Sequence, residues 1–261
     1  MTRDDDERLR RTLERRSAVA SRLAAAPARK PALVDALDSS RSTVDRAIDE
    51  LAAVGCVRRE DSEYALTTTG RLALRTYEGY RSATDAIAAT TEFVNCLPAD
   101  APLDTSLLDG ASVSMSSEHV PDQALAPSTD LFKRATRMRG LAPVVLGFYP
   151  NTVAEQLSRD ELTVEIVASA EVLGALPSIP DVGTASLSEA DGLSLYESGG
   201  ELPYALWLME TPESDYAGIT AYDAGGAAGV LMNDSPAAVE WAESEYERYR
   251  ADASEANPFR S

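Results

Sequence analysis

The sequence predicts a two-part chain of mixed α+β and α/β class, with a helical N-terminal part, a long connecting helix and an α/β C-terminal part. Residues 1–69 show helical stripes of apolar side chains and then two short β-like runs, whereas strands alternate with helices after the proline-containing stretch 97–104. The charge changes as well: the first 81 residues carry 16 Lys and Arg against 14 Asp and Glu, and the remaining 180 carry 8 against 29. We therefore predict domains at 1–69 and 98–261, joined by a helix over 70–97.

The N-terminal part begins with three predicted helices. The first covers 3–25, where leucines and alanines form an approximate apolar stripe, and it ends before the prolines of "APARKP". Pro31 suits the first turn of the second helix, "PALVDALD". The serines at 39–40 supply an N-cap for the third helix, which runs over 41–54 and is followed by Gly55 at the position where helices often end.

A hairpin is predicted after the third helix. The stretch "CVRREDSEYALT" contains two β-like runs around the turn-forming pair Asp61-Ser62. Three helices and a hairpin make a winged helix-turn-helix, in which the third helix enters the major groove of DNA and the hairpin flanks it near the backbone. Val44, Ile48 and Leu51 lie at helical spacing and are expected in the core, so the opposite face of the third helix is left for DNA.

The exposed side of this predicted helix carries short hydroxyls and arginines. Hydroxyls and backbone N–H groups at a helix N-terminus suit phosphate contact, and an arginine can read a guanine edge. The residues predicted to contact double-stranded DNA are Ser40, Arg41, Ser42, Thr43, Arg46, Arg58 and Arg59. The alternative is a winged helix that contacts protein and leaves these arginines solvated. Asp45 and Asp49 weigh against tight phosphate binding.

The connecting segment 70–97 has the heptad rhythm of a helix–helix seam. Alternating spacings of four and three relate Ala73, Tyr77, Tyr80, Thr84, Ile87, Thr91 and Val94. If this face pairs with the same face of a second copy, the protein is a homodimer, as binding to paired DNA half-sites requires. A helix that packs only on its own domain explains the same pattern.

The C-terminal part alternates extended and helical runs, which favours an α/β sandwich with a mixed sheet. Extended runs are expected at 111–117, 141–149, 162–169, 192–197, 204–210, 216–223 and 228–233. Helices are expected at 122–138, 151–158 and 170–176, and a last helix begins with Ser235 as its cap and Pro236 in its first turn. The glycines of "DAGGAAG" lie between two predicted strands, which favours a hairpin turn over a phosphate-binding loop.

Composition argues against several functional classes. No apolar run approaches the length of about 18 residues that spans a membrane, and "MTRDDDERLRR" lacks the apolar region of a signal peptide, so a cytoplasmic protein is expected. Two cysteines, Cys56 and Cys96, and a single histidine argue against a structural zinc site, and no cofactor is expected. The chain has no G-x-S-x-G, P-loop or G-x-G-x-x-G motif, so no enzyme is expected.

The make-up of the charge indicates adaptation to salt. Only Lys30 and Lys133 among the 24 basic residues are lysines, and the formal net charge is -19. At molar salt the Debye length falls to about 3 Å, so the self-repulsion of a dispersed acidic surface is largely screened. We interpret the acidity as a mark of habitat more than of function.

One cationic cluster stands out in the acidic C-terminal part. "DLFKRATRMRG" holds Lys133, Arg134, Arg137 and Arg139, and on a helix Lys133 and Arg137 would share a face. Four cations within seven positions suggest a site for a small anionic metabolite, to which the sole histidine, His119, is also assigned. Intramolecular ion pairs with the abundant acids are the alternative.

Several stretches resemble a known family. "LDSSRSTVDRAIDELAAVGCVRRE" and "YALTTTGRLAL" resemble the winged helix of archaeal transcription regulators. "ATRMRGLAPVV", "LTVEIVASAEVLGAL", "GLSLYE" and "SPAAVEWAESEYERYR" are similar to the methanogenesis-regulatory-protein family, which is abundant in salt-loving archaea and related to the TrmB sugar-responsive regulators.

The resemblance implies a DNA-binding regulator whose C-terminal effector domain has a phospholipase-D-like α/β fold without activity. The active enzymes of that fold need a His-x-Lys motif followed by Asp, whereas here Val120 and Pro121 follow His119. A sugar or a sugar phosphate is the effector that the resemblance implies. The predicted function is therefore a dimeric, salt-adapted transcription regulator whose DNA binding responds to an anionic metabolite. The rivals are a constitutive DNA-binding protein with a C-terminal domain used only for dimerisation, and an enzyme with a DNA-binding appendage.

Overall fold

The computed structural model describes residues 3–117, 121–145, 149–157, 162–178, 192–223 and 226–259. The chain divides into an N-terminal unit, Met1–Thr84, and a C-terminal unit, Asp85–Ser261. The predicted class is confirmed, because the first unit is mainly helical and the second combines helices with a large sheet.

The N-terminal unit has three helices and a hairpin, in the predicted order. The elements are α1 (Arg3–Ala25), α2 (Lys30–Leu37), α3 (Arg41–Ala53), β1 (Val57–Glu60), β2 (Glu63–Leu66) and the start of α4 (Thr68–Val94). Strands β1 and β2 pair antiparallel, and Ala28 adds a single bridge to Tyr64. One apolar stripe from each helix meets in the core, where Leu23, Leu33 and Leu51 are at most 1% exposed.

Local signals fix the ends of these elements. The left-handed backbone of Asp38, with φ of 45°, ends α2, and Gly55, with φ of +73°, follows α3. Gly70 brings the first turn of α4 against the backbone of Cys56, the residue before β1: a Cβ at position 70 would lie 2.1 Å from the carbonyl oxygen of Cys56. Only glycine fits at position 70 without displacing the backbone of Cys56.

In the part of the C-terminal unit that the structure describes, eight strands form one mixed sheet in the order β10-β6-β5-β4-β7-β8-β9-β3. Its strands are β3 (Ser112–Met115), β4 (Arg137–Ala142), β5 (Thr163–Ala168), β6 (Leu193–Glu197), β7 (Ala205–Glu210), β8 (Asp215–Asp223), β9 (Gly226–Asn233) and β10 (Ser254–Ala256). The helices after α4 are α5 (Thr105–Leu108), α6 (Ala126–Phe132), α7 (Tyr149–Leu157), α8 (Ala170–Ala175) and α9 (Pro236–Ala251). Strands β4, β5 and β6 are parallel, and the remaining pairs are antiparallel.

Alternation along the strands gives the sheet two apolar faces. Leu206 and Ile219 belong to the core that contains the buried Ala242 of α9. Met138 and Trp207 belong to a separate core with Phe132 of α6. Helix α9 begins as predicted, since the Ser235 side chain accepts a hydrogen bond from the N–H of Ala238.

The helix predicted at 122–138 is confirmed only as far as residue 132, and the strand predicted at 141–149 lies earlier in the chain, at 137–142. A 3-10 turn (Pro121–Leu125) and α6 end by Phe132, and the residues from Arg137 to Ala142 form β4. This strand lies between β5 and β7, so pairing on both edges outweighs the helical preference of its arginines and methionine. Residues 149–157 are helical, as α7.

Candidate functional site

All seven side chains predicted to contact DNA are exposed: Ser40, Arg41, Ser42, Thr43, Arg46, Arg58 and Arg59. The opposite face of α3 buries Val44, Ala47, Ile48 and Leu51. Residues 40–43 and Arg46 therefore lie at the start and on the exposed side of α3, whereas Arg58 and Arg59 are exposed on β1.

Hydroxyl groups organise the N-terminal turn of α3. The Ser40 Oγ accepts a hydrogen bond from the Thr43 N–H at 3.2 Å, which caps the helix. The same oxygen lies 2.8 Å from the Thr43 hydroxyl and 3.0 Å from the Ser42 hydroxyl. Three exposed hydroxyls thus form one small cluster at the positive end of the helix dipole, where anions are favoured.

Asp45, which counted against phosphate binding in the sequence, has a structural partner. Its carboxylate lies 2.7 Å from the Lys30 ammonium group, and this hydrogen bond is the main reason that the Lys30 pKa is raised. Lys30 also lies 5.5 Å from the centre of the Tyr64 ring. Asp45 therefore ties α3 to α2 and to the hairpin, and its charge is balanced locally.

The hairpin arginines have contacts of their own. Arg58 forms an ion pair with Glu60 on the same strand. The Arg59 Nε donates to the carbonyl oxygen of Asp61 at 2.9 Å, at a residue whose φ is +52°. Arg59 therefore supports the turn of the hairpin while remaining exposed.

Arginines of α1 also lie beside α3, outside the set of residues predicted to contact DNA. Arg16 makes two hydrogen bonds to Glu50 of α3, at 2.8 and 3.0 Å, and lowers the pKa of that carboxyl group. The charges of Arg15 and Arg46 lower the pKa of Glu50 further. A polar cleft of about 360 Å³ beside Glu50 is lined by α1 residues that include Arg8, Arg11 and Arg15. Arg8, Arg11 and Arg15 are separated by three and four positions, and this spacing in the sequence indicates that they share one face of a helix.

The cationic cluster of the C-terminal unit does not lie on one helix face. Lys133 follows the end of α6, whereas Arg137 and Arg139 are on β4, so the predicted helical pairing of Lys133 with Arg137 is wrong. Each cation already has a carboxylate partner. Lys133 lies 2.8 Å from Asp130, Arg134 lies 3.9 Å from Glu213, and Arg137 lies 3.4 Å from Glu210.

Arg139 is the most enclosed member of the cluster. Its side chain is 11% exposed and lies 2.6 Å from Glu243, 3.6 Å from Glu210 and 3.8 Å from Glu247. Its guanidinium group also lies 5.8 Å from the centre of the Tyr246 ring. Arg139 therefore joins β4 to α9 and β7.

The remaining sequence predictions concern His119 and metal or membrane association. His119 lies outside the described residues. Among the residues that the structure describes, no group of three or more His, Cys, Asp or Glu side chains could hold a metal ion. In that same part of the chain, no helix is both long enough and apolar enough to cross a membrane.

Known structures that resemble the chain include three distant likenesses. TrmBL2, an archaeal chromatin protein with a novel mode of DNA binding, is 10% identical with a TM-score of 0.43, over 92% of this chain and 92% of that chain. Nuc from Salmonella typhimurium, a phospholipase D family member, is 11% identical with a TM-score of 0.42, over 56% of this chain and 99% of that chain. NucT from Helicobacter pylori is 10% identical with a TM-score of 0.44, over 56% of this chain and 98% of that chain. Scores below 0.5 do not establish a common fold.

Comparison at the level of sequence families is more informative. No curated protein sequence matches the chain at a significant level. The profile of the HVO_A0261 N-terminal domain matches residues 4–89. The profile of the methanogenesis regulatory protein FilR1, middle domain, matches residues 121–252, about half of the chain. The chain therefore belongs to the family of the methanogenesis regulatory protein FilR1, as its resemblance in sequence predicted.

Proposed function

We propose that the chain is a DNA-binding transcription regulator that contacts double-stranded DNA through the N-terminal turn of α3 and the β1–β2 hairpin. The observation that carries this proposal is the division of α3 into two faces. Val44 and Ile48 are at most 2% exposed, whereas residues 40–43 and Arg46 are all exposed. Membership of a family named for a regulatory protein supports the same function.

The distribution of charge favours contact with DNA through the N-terminal unit. Residues 1–84 carry 16 Lys and Arg against 14 Asp and Glu, and residues 85–261 carry 8 against 29. A net charge of +2 gives little long-range attraction, and salt weakens phosphate contacts steeply. Recognition would then depend on the fit of α3 in the groove, on its hydroxyls and on a few arginines, including those of α1.

The direct test replaces Arg46 with Ala. Binding sites are first selected from a random DNA library, and affinity for a selected site is then measured by fluorescence anisotropy. We expect roughly tenfold weaker binding and a relaxed preference at one base position, because a bidentate arginine–guanine contact contributes about 1–3 kcal/mol of discrimination.

The matched control is Arg75→Ala, which removes the same charge from an exposed position on α4. Its affinity for DNA should stay close to that of the unmodified protein. Unaltered affinity and base preference in Arg46→Ala would contradict the placement of α3 in the groove.

We propose further that α4 pairs with α4 of a second copy. Tyr80 is 68% exposed and Ile87 is 45% exposed, although both lie on the predicted seam. Thr84 and Thr91 donate their hydroxyls to the carbonyl oxygens of Tyr80 and Ile87, at 3.0 and 2.7 Å, which satisfies the polar group of each threonine within the helix. A different side of the helix buries Phe93, and the two ends of the seam, Ala73 and Val94, pack against cores. The middle of the seam, which includes Tyr80, Ile87 and Thr91, remains exposed.

Light scattering tests the dimer. Ile87→Glu should shift the protein from dimer to monomer, because two buried carboxylates would face each other across the seam. Ala89→Glu adds the same charge at an exposed position off the seam and should leave the dimer intact. A monomeric unmodified protein would remove this part of the proposal.

The effector predicted from the sequence is an anionic metabolite, such as a sugar phosphate, bound near Lys133, Arg134, Arg137 and Arg139. An anion would have to displace carboxylates there, and Arg139 alone has three. Thermal-shift titration with phosphorylated sugars tests whether this site binds an anion. Arg137→Glu should abolish any rise in melting temperature that the sugars cause.

Two alternative functions remain. If no anion stabilises the protein or alters DNA binding, a constitutive DNA-binding protein is favoured. Conversion of metabolites on prolonged incubation would favour the enzyme instead.

A further inference from the structure

The C-terminal unit contains a cavity of about 140 Å³ on the face of the sheet opposite to Arg139. Alternation along β4 separates the two: Met138 and Gly140 line the cavity, whereas Arg137 and Arg139 lie at the intervening positions. The cavity also reaches the carboxyl ends of the parallel strands β4 and β5, at Ala142 and Ala168. This edge of an α/β sheet is where ligands most often bind.

The floor of the cavity is formed by a row of residues in register across the sheet. Gly140 of β4 pairs with Ile166 of β5 on one side and with Trp207 of β7 on the other, and Trp207 pairs in turn with Gly218 of β8. A tryptophan thus lies between two glycines. Because Gly140 has no side chain, the cavity extends over its backbone, and the Ile166 Cδ1 lies 3.6 Å from the point where a Cβ would be.

Trp207 is held in a fixed position. A Cβ on Gly218 would lie 2.1 Å from the indole ring, so the ring packs directly against the backbone of β8. The indole Nε1–H donates to the hydroxyl of Thr220 at 3.3 Å, so the ring needs no polar partner from a ligand. The indole therefore offers a rigid carbon surface to the cavity.

The lining determines what the cavity can accept. None of the described residues that line it is Asp, Glu, Lys, Arg or His, and Thr220, Trp207 and Tyr222 supply its polar groups. Burial of a phosphate or carboxylate among such residues would leave the charge unpaired, which is strongly unfavourable. An apolar cavity of about 150 Å³ in another protein stays dry and binds benzene, so this volume suits a single six-membered ring.

We propose that this cavity binds an uncharged, single-ring aromatic compound, held between Ile166 and the indole of Trp207. The ligand class differs from the anion predicted at the cationic cluster, and the two sites lie on opposite faces of the sheet. Binding here does not require that the protein act on DNA, so the two proposals can fail separately.

The test uses the full chain with Trp241→Phe, which leaves Trp207 as the single tryptophan. Toluene is titrated while the fluorescence of Trp207 is followed. We expect a saturable change with a dissociation constant on the order of 0.1–1 mM, as for a ligand of so few atoms. Benzoate, which is similar in shape but charged, should bind at least tenfold more weakly.

Variants of the lining complete the test. Ala142→Leu adds three heavy atoms to a side chain that lines the cavity, and it should abolish the response to toluene. Ile166→Val enlarges the space and should favour indole over toluene relative to the parent protein. DNA binding by unliganded Ala142→Leu should be unchanged. A response that is absent in the parent, equal for benzoate, or retained in Ala142→Leu would overturn the proposal.

Discussion

The two hydrogen bonds between Arg16 and Glu50 are expected to stabilise the position of α3 against α1. The Arg16 side chain is 13% exposed and that of Glu50 is 30% exposed, so the pair is only partly reached by water. Hydrogen bonds to charged groups contribute about 1.5–3 kcal/mol when buried, and exposed ion pairs contribute about 0.2–1 kcal/mol. We therefore expect a coupling free energy of about 1–2 kcal/mol, between these limits.

A double-mutant cycle with Arg16→Met and Glu50→Gln measures this coupling. Hydrogen exchange of peptides from α1 and α3 reports the local opening free energy of the N-terminal unit. Exchange should become roughly 5–30-fold faster in each single variant, and the double variant should be less destabilised than the sum of the two. Arg11 and Glu7 supply the control pair, since their side chains are 66% and 59% exposed, and their coupling should be about 0.3–0.5 kcal/mol.

The pH dependence gives an independent check. Arg16 lowers the pKa of Glu50 in the folded protein, so the unfolded chain takes up the proton at a higher pH than the folded one. The coupling should be fully present above the unfolded pKa of about 4.3 and should disappear as the pH falls through the folded pKa. A coupling equal to that of the control pair, or one that does not change in acid, would refute the reasoning.

Three further predictions concern single positions. Ser40→Ala removes the cap of α3 and should cost about 1 kcal/mol, seen as a lower melting temperature of the N-terminal unit; an unchanged value would mean that water replaces the cap. Arg15→Ala should lower the slope of log affinity for DNA against log salt by about 1 if α1 contacts a phosphate, and an unaltered slope would exclude that contact. Gly218→Ala should destabilise the C-terminal unit by about 1–3 kcal/mol and shift the fluorescence of Trp207, because the new methyl group meets the indole. Gly174→Ala is its control, since a Cβ there has no atom within 4 Å, and comparable losses in both would point to a general effect.

The N-terminal unit could be predicted closely because its signals are local. The Ser40 cap, the stripe of Val44 and Ile48, and Gly55 after the helix all act within a few residues. Such signals set the ends and the buried face of a helix before any tertiary contact is known. The exposed side of α3, and hence the candidate DNA contacts, followed from the buried side.

The C-terminal unit was harder to predict because its decisive contacts join distant segments. Residues 137–142 have a composition that favours helix, and they form a strand because β5 and β7 pair with both edges. From the sequence, the cationic cluster fitted either an anion site or a set of ion pairs, because the partners Glu210 and Glu243 lie 73 and 104 positions along the chain from Arg137 and Arg139. The cavity depends on the register of four strands, which no local pattern encodes.

Close contacts of the Cys56 backbone link three elements of the N-terminal unit: α3, the hairpin and the start of α4. The Cys56 N–H donates to the carbonyl oxygen of Leu51 in α3, and its own carbonyl accepts from the Thr67 N–H, just before α4. Because the backbone of Gly70 lies directly against the same carbonyl, a rotation of the first turn of α4 should displace the backbone of Cys56. A displacement of Cys56 would in turn move the end of α3 and the start of β1 together. Cys56 therefore couples the orientation of α4 to that of the surface proposed to bind DNA.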